Sequence, residues 1–75
     1  MEAARKAVEA QNERNYQLLI SSADSLFRLQ NYNPAREKYV AARTIKSAES
    51  YPIRQIEEID KLLTQLAQAE KAAAE

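Results

Sequence analysis

Cysteine, histidine, glycine and tryptophan are all missing from this sequence. Without cysteine there is neither a disulfide framework nor a thiolate metal site. Without histidine the commonest general base and metal ligand is gone. Without glycine no glycine-rich phosphate loop can form. Positive φ angles then have few natural hosts, which speaks against tight β-hairpins. Charge of one sign is also lacking: 11 acidic and 11 basic side chains cancel. No global field therefore draws in nucleic acid or an anionic membrane. No stretch of about 20 apolar residues is present to cross a bilayer, and the N-terminus lacks the apolar core of a secretory signal.

What is there points to helices. The apolar fraction is 45% of 75 residues, much of it alanine, and strong helix formers dominate. A chain this small buries only about 60% of its unfolded surface. One domain with a thin core is expected, which neighbouring copies or a partner chain would thicken.

The pattern divides into three helices. Residues 2 to 30 read as one long helix with unlike halves. Its first part, "EAARKAVEAQNERN", has Val8 as its only sizeable apolar residue; Glu2–Lys6 and Arg5–Glu9 are i,i+4 pairs. From Tyr16 onward, Leu19, Ile20, Ala23, Leu26 and Phe27 recur at helical spacing and form an amphipathic face. A break follows at "QNYNP", where Asn33 reads as an N-cap and Pro34 as the first helical residue. The second helix is expected over 34–46. The third begins at Pro52, with Ser50 or Tyr51 as its cap. It carries Ile56, Ile59, Leu63 and Leu66 as a stripe, with Arg54–Glu58 and Glu57–Lys61 as flanking pairs. The organisation read from this is a charged helical extension at 1–15, a three-helix unit at 16–67 and a polar helical tail at 68–75. Short connections make neighbouring helices antiparallel.

The segment "NYNPAREKYVAARTIK" (31–46) carries the sharpest packing signal. Ala35, Tyr39 and Ala42 fall on one stripe, and Ala23 faces them from the first helix. Small side chains there allow the two helices to approach closely, while Tyr39, Leu26 and Phe27 fill the surrounding space. Tyr32 and Tyr51, at the turns, are expected to cover helix ends with their hydroxyls wet.

Leu19, Ala23, Leu26, Tyr32, Ala35, Tyr39 and Ala42 together resemble a tetratricopeptide repeat, over about residues 16 to 50. The closing proline of that family falls at Ser47 here, and its first-helix glycine at Ala23. A longer likeness runs through "LISSADSLF", then "NYNPAREKYVAARTIKSAESYP", then "IRQIEEIDKLL". This resembles tandem repeat segments of Bacteroidetes-type bacterial cell-envelope proteins. The resemblance implies a non-enzymatic scaffold or binding region in the periplasm or cell envelope. It also implies that the "AQAEKAAAE" tail of one copy runs as helix into the "EAARKAVEAQ" head of the next. The three-helix outline is similar, too, to the peptide-binding MIT domain, although helix two is short for that family.

Candidate chemistry is sparse. Glu57, Glu58 and Asp60 cluster, but adjacent helical residues diverge by about 100°, so a solvated face is expected. Ser21, Ser22 and Ser25 have no base beside them. Arg36, Lys38, Arg43 and Lys46 are spread over more than one face, unlike a nucleic-acid reader. The tetratricopeptide likeness implies a concave lining at Gln17, Ile20, Asp24, Phe27 and Arg28, which is the candidate protein-binding face. The bland alternative is that Ile20 and Phe27 simply pack on helix three or on another copy.

The expectation is thus an all-α unit, an antiparallel helix hairpin of tetratricopeptide type plus a third helix. It is expected to act as a structural or protein–protein interaction module, one unit of a repeat array. No enzyme activity, catalytic residue, metal or cofactor is expected. Expected partners are a protein or peptide, or neighbouring copies, with no nucleic acid and no membrane insertion. The alternatives are a helical oligomerisation segment, making the chain a homo-oligomer, and a stand-alone MIT-like peptide-binding domain.

Overall fold

The computed structural model describes the backbone of residues 2–74 and the side chains of residues 7–69. The expected Glu2–Lys6 and Arg5–Glu9 pairs, and the side chains of the tail beyond residue 69, lie outside these described residues. Three helices follow in order: α1 Glu2–Arg28, α2 Tyr32–Ile45 and α3 Ser50–Ala74. The unit is all-α, and successive helices are antiparallel. α2 is the middle element, packed by α1 on one side and α3 on the other, while α1 and α3 touch little.

Local chemistry explains where each helix stops. α1 ends two residues earlier than expected. There the Asn31 N–H donates to the Leu26 carbonyl and the Gln30 N–H to the Phe27 carbonyl, both at 2.9 Å. This is the paired hydrogen bonding of a Schellman motif, which needs a left-handed residue. Glycine ordinarily takes that place, but the chain has none, so Gln30 adopts φ 63°.

Both proline expectations shift by the same amount. α2 starts at Tyr32, with Asn31 in the capping position making no side-chain cap bond. Asn33 is therefore inside the helix, and Pro34 is its third residue. Pro52 is likewise the third residue of α3, so Ser50 and Tyr51 are helical rather than capping. The first four N–H groups of any helix lack intrahelical partners, so proline fits throughout the first turn. The Ala35 N–H, just beyond Pro34, makes the first bond of α2, to the Asn31 carbonyl at 3.1 Å.

The core lies where the spacing placed it. Ala23, Ala35, Tyr39, Ala42 and Ile59 are fully buried, with Tyr16 and Ile56 nearly so. Ile20, Leu26, Phe27, Tyr32, Val40 and Leu63 pack around the central cluster. The three alanines leave room for neighbouring backbones, and the Tyr39 ring occupies the space between them. Pro52 is also buried. Leu66 departs from the expected stripe: it is 50% exposed, because α3 by then has run past the α1–α2 turn and meets no third helix.

The molecule is long for its size. Its extents are 63 × 20 × 13 Å and its radius of gyration is 16.0 Å, against about 11 Å for a compact chain of this length. α2 spans only about 21 Å, whereas α1 and α3 run about 40 and 37 Å. The surplus of α1 projects past the end of α2, and the surplus of α3 projects past the opposite end. No helix among the described residues is long and apolar enough to cross a membrane.

Candidate functional site

Polar side chains bridge the helices at three places. At the lower end, where α1 first meets α2, the Lys46 ammonium pairs with the Glu13 carboxylate. It also sits over the Tyr16 ring, 5.1 Å from its centroid, close enough for a cation–π contribution. On the far side of α2, Arg36 Nε donates to Asp60 Oδ1 at 2.7 Å and Arg36 Nη2 to Oδ2 at 3.3 Å. The guanidinium hydrogen bond holds the Asp60 carboxyl below the usual carboxylate range. Neither Arg54–Glu58 nor Glu57–Lys61 closes as an ion pair among the described residues. The basic set of α2 is thus partly committed to binding its neighbours.

The third bridge joins all three helices. The Tyr39 hydroxyl of α2 donates to Asp24 Oδ1 of α1. The Tyr51 hydroxyl of α3 donates to the same oxygen at 2.7 Å. Gln55 Nε2, one turn further along α3, donates to the Tyr39 hydroxyl oxygen at 3.4 Å. The two tyrosine rings meet edge to face with centroids 6.2 Å apart. Burial first, and the Asp24 hydrogen bond second, push both phenols above their ordinary pKa. Both therefore stay protonated at neutral pH, and both protons point at the carboxylate. Tyr51 differs here from expectation: its ring is partly exposed, but its hydroxyl is bonded rather than wet.

These groups border a cleft of about 170 Å³, lined by Asp24, Phe27, Arg28, Tyr39, Tyr51 and Gln55. Of the five residues expected to form a binding face, Asp24, Phe27 and Arg28 come together here. Gln17 is exposed elsewhere on α1, donating to Glu13 at 3.0 Å. Ile20 is half-buried and packs on the core. Phe27 has two duties, lining the cleft and meeting Tyr32 edge to face at 5.6 Å. A larger hollow of about 520 Å³ lies along Glu57, Asp60, Lys61, Thr64 and Gln65; these all belong to α3, so no second element closes it.

The sequence reading missed Tyr51 and Gln55 as partners of Asp24. A signal for some partner was present. Asp24 stands between Ala23 and Leu26 on a face that must be covered, and a half-buried carboxylate there requires donors. Which donors depends on how α3 is rotated against α2, and no local pattern encodes that.

Among the described residues, no three His, Cys, Asp or Glu side chains converge as a metal site would require. No family model, curated protein or solved structure matches the chain.

Proposed function

We propose that this chain is a non-enzymatic structural or protein–protein interaction module, one unit of a helical repeat array. One observation carries the reading: the two projecting helix ends leave the bundle at opposite poles and run in the same sense. A tail leaving one unit therefore points the way the head of a following unit enters. Helix could pass from copy to copy without a turn. Composition supports this, since alanine interspersed with Glu, Lys and Arg makes semi-rigid helical spacers. The tetratricopeptide resemblance supports it as well, because such units stack in series. With the likeness to envelope repeats, the proposal extends to a bacterial periplasmic setting.

The oligomerisation alternative is weaker than its sequence suggested. Two of the four residues in its stripe, Ile56 and Ile59, are covered by their own chain.

Two copies joined from Glu75 to Met1 provide the test. Small-angle scattering should give a maximum dimension about twice the 63 Å of one unit. A two-copy chain that collapses to near the length of one unit overturns the array. So does a single unit that dimerises in light scattering with a melting temperature that climbs with concentration.

A further inference from the structure

We propose that the cleft between α1 and α3 receives a lysine ammonium from a partner polypeptide. Three inter-helix carboxylates stand out in this fold, and two of them meet a cation: Glu13 pairs with Lys46 and Asp60 with Arg36. Asp24 is half-buried and accepts two phenol protons, yet it makes no ion pair among the described residues. Its negative charge is solvated but not neutralised.

The hydrogen-bond inventory of the cleft points the same way. Tyr39 and Tyr51 each have a single proton, and both are engaged by Asp24. The Gln55 amide nitrogen is turned to Tyr39, while its carbonyl oxygen accepts no hydrogen bond among the described residues. What remains for a visitor is the second Asp24 oxygen and the Gln55 carbonyl, beside the Phe27 and Tyr51 rings. An ammonium, with three donors and no acceptor, complements that set. Aromatic faces add a cation–π contribution.

Size and charge narrow the visitor. A volume of about 170 Å³ takes an ammonium with part of its methylene stem. Arg28 stands at the rim without an ion-pair partner among the described residues. It repels a second positive charge, so a single lysine is favoured over a polybasic segment. Only the choice of a protein as the source of the ammonium rests on the interaction-module reading.

The test uses one unit, nitrogen-15 labelled, titrated with Nα-acetyl-lysine N-methylamide and followed by amide chemical shifts. Saturable shifts are expected at Asp24, Phe27, Tyr51 and the Gln55 side-chain amide, with dissociation constants on the order of millimolar for one such contact. The uncharged norleucine analogue should leave them unmoved. Asp24→Asn should weaken binding about tenfold or more, with unchanged helicity as the check that it folds. Tyr51→Leu, at the exposed start of α3, should weaken it about threefold and keeps the proposal testable should Asp24→Asn not fold. Equal shifts from the norleucine analogue overturn the proposal, as do shifts scattered over surface carboxylates or binding that survives both substitutions. Since the probe binds a single unit, such a failure would leave the array to its own scattering test.

Discussion

The two halves of α1 share one continuous helix but are held by different physics. In residues 7–14 every side chain is exposed. Bonds there run along the helix itself: Gln11 to Asn15 at 3.0 Å and Arg14 to Gln11 at 2.9 Å. Contacts of this kind are worth a few tenths of a kcal/mol each. From Tyr16 the same helix buries Ala23 completely and sends Asp24 to hydrogen-bond with two other helices. Helical propensity alone shapes the first half, whereas the second is helical and also committed to a place. The lesson is that continuity of a helix says nothing about continuity of its role.

The largest effect that would sharpen this contrast is expected at Tyr39. Tyr39→Ala should cost about 3–5 kcal/mol, because a fully buried ring leaves a cavity and Asp24 loses a donor. In a domain this small that is a large share of total stability. Denaturant melts read by circular dichroism would check it, and a near-neutral result would mean the buried half is not the source of stability. Raising pH attacks the same half from another direction. Tyr39 and Tyr51 have folded-state pKa values above the unfolded value of about 10. The folded chain thus holds protons that the unfolded chain releases. Stability should be flat below pH 10 and fall as pH rises beyond it; Tyr51→Phe should make that fall shallower.

Smaller changes probe the seam and its termination. Ala23→Leu should cost about 1–3 kcal/mol by forcing the helices apart, whereas Val8→Ala in the exposed half should stay within about 0.5 kcal/mol. If the two cost the same, the division of α1 into halves fails. Gln30→Gly should stabilise by about 0.5–1 kcal/mol, since it relieves a left-handed residue at the α1 terminus. Melting temperature is the readout for both comparisons.

The alanine seam was legible early because its signal is local. Ala35, Tyr39 and Ala42 share a stripe whatever lies opposite. The helix starts were read less well: proline marks a first turn without saying which position in the turn it holds, so Pro34 and Pro52 each turned out to be third residues. Leu66 matched the apolar spacing of α3 but found no helix to cover it. Of the cleft, Asp24, Phe27 and Arg28 were named from the resemblance, yet the role of Asp24 as acceptor for two tyrosines was not.

By itself the sequence determined three helices, their breaks and the residues that face inward, because helical periodicity and turn chemistry act within a few neighbours. Only the tertiary structure decided that Asp24 meets Tyr39 and Tyr51, that Arg36 meets Asp60, and that Lys46 meets Glu13. These pairs join residues from 15 to 33 positions apart. Their meeting depends on the rotation and stagger of whole helices, which settle only when all the side chains pack at once.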